Sequence, residues 1–171
     1  MERLDLTLDL KNYDSSITIF KREAARGIIR RNGDFLFVRG KYGDYKFPSG
    51  GVELGESPKR TLVREVKEET GYVVIPDSIT YFGVVHERRK GAIDDIIEMD
   101  SHYYFCDVSV IPGDKQLSRY EIEYEYQAIW IPIDEAVANN RNCTNLDLCP
   151  WVIRESKVME LLISYSGAIK E

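Results

Sequence analysis

The sequence predicts a single domain of the α/β (α+β) class over residues 1–171, and three observations carry that prediction. Apolar residues alternate with period two in segments spread over both halves of the chain. Three further stretches carry helical spacing or helix start and stop residues. A length of 171 residues, 43% of them apolar and 11% aromatic, is enough for one substantial core.

Taken in order, the first element is LDLTLDL, where Leu4, Leu6, Leu8 and Leu10 share one face of a strand. Such a one-sided apolar strand needs a cover, either from its own domain or across a possible homodimer. After the turn-like KNYDSS, SITIF reads as a second strand. ARGIIRR and FLFVRG flank Asn32-Gly33-Asp34, and an Asn-Gly between two apolar runs is a strong hairpin signal. YFGVVHERR, HYYFCDVSV and YEYQAIWIPI read as further strands. Helices fit best at Pro58 to Thr70, at PIDEAVANN and at PWVIRESKVMELLISY. Strands with interspersed helices indicate a layered sandwich.

Composition excludes several classes of function. No apolar run approaches the roughly 18 residues of a membrane span, and MERLDLTLDL lacks the layout of a signal peptide, so a cytoplasmic location without a membrane partner is expected. Cys106, Cys143 and Cys149 are odd in number and lack CxxC spacing, which favours ordinary thiols over a disulfide framework or zinc site. The net charge of −6 and the absence of a basic cluster larger than HERRK argue against long nucleic acids as partners. A small anionic substrate would then need a metal or local arginines. With His86 and His102 the only histidines, nucleophilic triads and His-rich metal sites are disfavoured.

The chemistry concentrates in REVKEETG, Arg64 to Gly71. Ser57 and Pro58 form a cap and first-turn proline, and Gly71 is a stop. At about 100° per residue, Glu65, Glu68 and Glu69 share an arc beside the apolar arc of Leu62, Val63, Val66 and Thr70, with Lys59, Arg60, Arg64 and Lys67 on the far side. Arg64 and Glu68 form the one favourable pair, whereas Glu65 and Glu69 repel. The cluster makes sense if a hard divalent cation such as Mg²⁺ sits against it; the alternative is a solvated acidic face. The preceding GKYGDYKFPSGGVELGES is glycine-rich, and Gly50 and Gly51 allow close approach of backbone to a ligand or metal.

Gly50, Glu56 and Arg64-Glu65-Val66-Lys67-Glu68-Glu69-Thr70-Gly71 together resemble the signature of the Nudix hydrolases, the MutT-like hydrolases of nucleoside diphosphates linked to a group X. All seven invariant identities are present, and the resemblance is specific over residues 50–72. Tyr72 departs from the family's aliphatic preference, and Ser49 replaces a frequent glycine. The resemblance implies an α/β/α sandwich with a mixed sheet. It implies Mg²⁺ or Mn²⁺ held by Glu65, Glu68 and Glu69, assisted by the Gly50 carbonyl, with Arg64 and Glu56 orienting the catalytic glutamates. The reaction implied is attack of water on phosphorus in a small nucleotide-derived substrate.

Family members take their general base from the signature helix or from a later loop. Here RYEIEYEYQ offers Glu121, Glu123 and Glu125 in strand-like alternation, and Glu125 is the candidate carried forward. Arg26, Arg39, Arg88 and Arg89 could hold phosphates or a base, and Tyr103, Tyr104 or Phe105 could stack on one; Arg26, Arg39 and Tyr104 are the substrate-binding candidates. KGAIDDIIEMDS is expected to border the pocket. The proline and tyrosine that mark the ADP-sugar and diadenosine-polyphosphate branches have no counterpart at the right distance, since Pro76 and Tyr81 lie too close to the signature. Two alternatives stand beside diphosphate hydrolysis: a Nudix-like sensor that binds a nucleotide without turnover, and RNA-cap hydrolysis. Sensors usually lose signature glutamates, and cap hydrolysis would profit from a basic surface.

Overall fold

A computed structural model describes residues 3–15, 18–91, 93 and 95–168. Five strands form a mixed sheet: β1 (Leu4–Asp9), β2 (Ile19–Ile28), β6 (Ser49–Gly51), β7 (Thr80–Lys90) and β8 (Ile96–Phe105), in the order β1-β7-β8-β2-β6. A second sheet is built on β4 (Asp34–Arg39), which pairs with the short β3 (Arg30–Arg31) and β5 (Tyr45–Lys46) near its two ends and with β9 (Gln127–Ile131) along its length. The helices are α1 (Pro58–Thr70), α2 (Arg119–Glu123), α3 (Ile133–Arg141) and α4 (Trp151–Ala168).

Two apolar clusters show the layering. Leu62 and Val66 of α1 meet Ala25, Ile29, Leu36 and Tyr104 on one side of the sheets. Ala136 and Val137 of α3 and Val158, Met159 and Leu162 of α4 meet Ile28, Phe35, Phe37 and Tyr103 on the other. Alternation divides the residues: in β4, Phe35 and Phe37 face α4 while Leu36 faces α1. The result is the expected α/β/α sandwich with a mixed sheet.

The N-terminal strand joins its own domain. It runs parallel to β7 from Leu4↔Gly83 to Asp9↔Arg88, and Leu4, Leu6 and Leu8 pack against the core beside Tyr165. Gly83 makes this possible, because a Cβ there would lie 1.9 Å from the Leu4 carbonyl oxygen.

The expected hairpin at Asn32-Gly33 is present, with φ of 52° and 95° as a type I′ turn requires. Three boundaries differ from expectation. The separate strands SITIF and ARGIIRR are one strand, β2, because no turn residue interrupts KREA and β8 pairs with it from Ile19↔Ile96 to Ile28↔Phe105; residues 16 and 17 lie outside the described residues. HYYF is only the end of β8, which begins at Ile96, so the second half of KGAIDDIIEMDS is strand; residues 92 and 94 of that segment lie outside the described residues. RYEIEYEYQ does not continue a strand: its first residues form α2, capped reciprocally by Ser118 and Glu121.

Candidate active site

Helix α1 begins as its sequence dictates. The Ser57 hydroxyl accepts from the Arg60 N–H, Pro58 occupies the first turn, and Gly71 closes the helix at φ 77° with its N–H donating to the Lys67 carbonyl. Leu62 and Val66 bury the adjoining face, which holds the acidic arc at the edge of the core.

Arg64 turns toward the acidic arc, not away from it as the helical wheel predicts. Its Nε donates to Glu56 Oε1 at 3.0 Å and its Nη2 to Glu56 Oε2 at 2.8 Å, a two-pronged pair. Its Nη1 reaches Glu65 Oε1 at 2.6 Å and Glu68 Oε2 at 3.3 Å, and Nη2 also donates to the Gly51 carbonyl at 3.2 Å. One planar guanidinium therefore ties the loop before the helix to two carboxylates on it. The wheel misplaced Arg64 because a long side chain can reach across a turn to a partner outside the helix, and Glu56 is that partner.

These contacts set the charge states. Its hydrogen bonds to Arg64 pull the Glu56 carboxyl down to about 2. Burial pushes Glu65 up to about 7, with Glu69 and Glu68 adding to the rise and Arg64 opposing it. Gly50 explains how Glu65 fits: a Cβ at residue 50 would lie 1.9 Å from its Cδ and 2.0 Å from Oε1. Gly50 is held there by pairing with Ala25 of β2.

Glu69 is built differently. It is 1% exposed, its Oε1 accepts from Lys46 Nζ at 2.7 Å, and its Oε2 accepts from the Ser49 N–H at 2.8 Å. Burial raises its carboxyl while Lys46 opposes the rise. The expected unrelieved repulsion along the helix is thus answered within the protein, by Arg64 for Glu65 and Glu68 and by Lys46 for Glu69. Lys46 goes unnoticed in the sequence and Ser49 stands out only as a departure from the family pattern, because nothing local to KFPSGG shows that β5 and β6 fold over this edge of α1.

The other candidates separate. Arg26 is buried, donates to Ser49 Oγ at 2.8 Å and lies 3.4 Å from Glu155 Oε1, so it braces the loop beneath Gly50 and is not presented to solvent. Tyr104 is a core residue packed against the tilted ring of Tyr81 in the α1 cluster, and Tyr103 is fully buried with its hydroxyl donating to Glu155 at 3.0 Å. Phe105 packs on Phe82. Arg39 stands exposed at the end of β4. Arg88 pairs with Glu98 at 3.3 Å, and Arg89 is buried 3.5 Å from Glu87. His86 and His102 pair with Asp100 at 2.7 Å and Glu23 at 2.9 Å.

Of the three later glutamates, Glu121 is tied to the Ser118 N–H at 2.7 Å, and its charge adds to the rise of Glu69. The Glu123 carbonyl accepts from Lys41, and Glu125 is exposed in a left-handed backbone conformation with φ 55°. The structure thus brings Glu56, Arg64, Glu65, Glu68 and Gly50 together, and it leaves Arg26, Tyr104 and Arg39 out of that group.

Sequence reasoning also missed a buried ionic network behind the site. Arg154 bonds Glu87 and Glu155, and Glu155 accepts from the Phe47 N–H at 2.9 Å. Burial alone would raise Glu155, but Arg26 and Arg154 carry it below the usual carboxylate range. A signal existed: Glu155 falls on the same helical stripe as Val152, Met159 and Leu162, where a charge must be paired.

Comparison with known proteins identifies the family. The model of the NUDIX domain matches residues 21–151, so the chain belongs to the NUDIX family. An ADP-ribose pyrophosphatase of Methanocaldococcus jannaschii is 36% identical over 80 residues, 44% of this chain and 45% of that protein. An 8-oxo-dGTP diphosphatase of Escherichia coli is 34% identical over 68 residues, 36% of this chain and 51% of that protein. The chain thus spans about half the length of these curated relatives. Among solved structures, a NUDIX hydrolase from Nitrosomonas europaea aligns with TM-score 0.58 and 22% identity over 81% of this chain and 90% of that one, which shows the shared fold. Members of the family generally use divalent cations. Among the described residues no group of three or more His, Cys, Asp or Glu side chains forms a ready-made metal cluster. No described helix is long and apolar enough to cross a membrane.

Proposed function

We propose that this chain hydrolyses the diphosphate linkage of a small nucleoside diphosphate derivative, using Mg²⁺ or Mn²⁺ bound at Glu65 and Glu68. The observation that carries the reading is the Arg64 hub, a single guanidinium bonding Glu56, Glu65, Glu68 and the Gly51 carbonyl at 2.6–3.3 Å. A structural salt bridge needs one carboxylate partner; this one orders three and keeps two of them side by side.

The residues fit a hard cation. Mg²⁺ is typically held by one or two carboxylates together with waters and substrate phosphates, so Glu65, Glu68 and the Gly50 carbonyl suffice as protein donors. Such an ion would neutralise phosphate charge and acidify a bound water. Glu69 can join only by giving up Lys46 or the Ser49 N–H, and we assign it a positioning role that fixes Ser49 and Gly50 against the helix. Arg64 holds Glu65 and Glu68 in the orientation that presents their free oxygens. Among the later carboxylates Glu121, whose charge reaches Glu69, takes the place of Glu125 as the candidate general base.

Residues 1–171 are read as one functional unit, because β1 and α4, outside or at the edge of the matched residues 21–151, share one apolar cluster with the rest. The names of the relatives, ADP-ribose pyrophosphatase and 8-oxo-dGTP diphosphatase, support small nucleotide derivatives as the substrate class.

The test is phosphate release from a panel of dinucleotides, nucleotide sugars and nucleoside triphosphates with Mg²⁺, each coupled to a phosphatase where the products require it. Turnover on at least one compound, abolished by a chelator and restored by Mg²⁺, is the expected result. Nucleotide binding without turnover on any of them would favour the sensor reading.

A further inference from the structure

We propose that Cys143 and Cys149 form a reversible redox modification site, closing an intramolecular disulfide when the protein meets a low-molecular-weight disulfide such as oxidised glutathione. The pair lies where α3 passes into α4. The two Sγ atoms are 3.2 Å apart, and a disulfide needs about 2.05 Å, so roughly 1 Å of closure completes the bond. The connection between the two helices is a series of turns, with the Cys149 N–H and the Leu148 N–H both donating to the Asn145 carbonyl, so this closure falls on irregular backbone.

The surroundings hold the thiols together and set their roles. Val152, Tyr42 and Trp151 pack around them, and the Cys149 thiol also contacts the Asn145 carbonyl at 3.0 Å. Cys149 is fully buried, and burial with the Cys143 contact pushes its thiol well above the ordinary range. Cys143 retains 9% exposure and is the point of entry. Its thiolate attacks one sulfur of oxidised glutathione, giving a mixed disulfide and one glutathione thiolate. Cys149 then attacks the Cys143 sulfur, its proton passes to the second glutathione as that leaves, and the protein has lost two hydrogens while one glutathione disulfide has become two thiols. Cys106 lies in the separate α1 cluster, its thiol pushed up by burial to about 12, and stays reduced.

The bridge would fasten the end of α3 to the start of α4, the helix whose Arg154 and Glu155 hold the buried network. A closed seven-residue loop restricts the unfolded chain, so oxidation should raise the melting temperature by on the order of 5 °C.

The full chain, reduced and then treated with oxidised glutathione under native conditions, is to be mapped by mass spectrometry. The tryptic peptide following Arg141 carries both cysteines, and cleavage before Asp147 separates them unless they are bridged. Expected are a loss of two hydrogens confined to that peptide, fragments that stay joined after cleavage at Asp147, reversal by a dithiol, and one thiol remaining at Cys106. Cys149→Ser, which keeps a donor for Asn145, should trap glutathione at Cys143. The proposal is overturned by a stable glutathione adduct on the parental protein, by bridging through Cys106, by three thiols persisting after native treatment, or by a bridge that lowers the melting temperature. The parental protein alone decides between these outcomes if the serine variant fails to fold.

Discussion

Arg64 concentrates the site's logic in one side chain, and its partner Glu56 gives that logic a pH signature. Because the folded Glu56 carboxyl sits near 2 and the unfolded one near 4.5, the native state binds this proton less readily. The Glu56 contribution is therefore fully present above about pH 4.5 and is lost as pH falls toward about 2. Acid unfolding of Glu56→Gln should lack that component of the slope, measured by urea midpoints between those pH values; parallel curves for the two proteins would refute the pairing. Gly50 makes a second prediction. Gly50→Ala places a methyl 1.9 Å from the Glu65 carboxyl carbon, so Glu65 must move, and turnover should fall by at least about 10-fold. Glu69→Gln is expected to destabilise the protein by about 2–4 kcal/mol, since it leaves Lys46, itself buried, without a charged partner. On sequence alone the same substitution would relieve repulsion and leave stability level. The two expectations are opposite in sign, so a single melting curve separates them.

At the level of elements, the sequence carried what is periodic or capped. Helix α1 was legible to the residue because Ser57-Pro58 and Gly71 bracket it, and β4 because Asn32-Gly33 fixes the hairpin. The α2 segment was misread although Ser118-Arg-Tyr-Glu121 is a capping box, since Tyr120, Ile122 and Tyr124 alternate as a strand would. Five residues are too few for a helical period to outvote an alternation. The register of β6 over α1 depends on its pairing with β2, a contact between residues about 25 apart in sequence, and no local pattern encodes it. The Glu121 charge acts on Glu69 of the signature helix, so Glu121→Gln should slow turnover several-fold. Glu123→Gln and Glu125→Gln should match the parental rate, and a loss confined to Glu125→Gln would return that role to the loop.

Across the whole molecule, β1 and α4 are the parts furthest in sequence from the signature, yet both close the core beneath it. Leu4 of β1 and Val158, Met159 and Leu162 of α4 lie in one cluster with Phe37 and Phe47, two residues from Ser49. Removing residues 1–10 should therefore lower the melting temperature by at least about 5 °C without changing the number of subunits found by light scattering, because β1 pairs within its own sheet. The sandwich was legible because alternation and amphipathic spacing sum over many residues. Which charges meet inside it was not, since Arg26, Glu87 and Arg154 come from three distant segments. In the function proposed above, Glu65 and Glu68, ordered by Arg64, hold the cation that drives diphosphate hydrolysis. The most direct measurement is Mg²⁺-dependent turnover of Glu65→Gln and Glu68→Gln beside the parental protein, with thermal melting on the same samples. A loss of roughly 100-fold or more in both variants, with melting temperatures close to parental, is the predicted result. Folded variants that keep parental Mg²⁺-dependent turnover would contradict it.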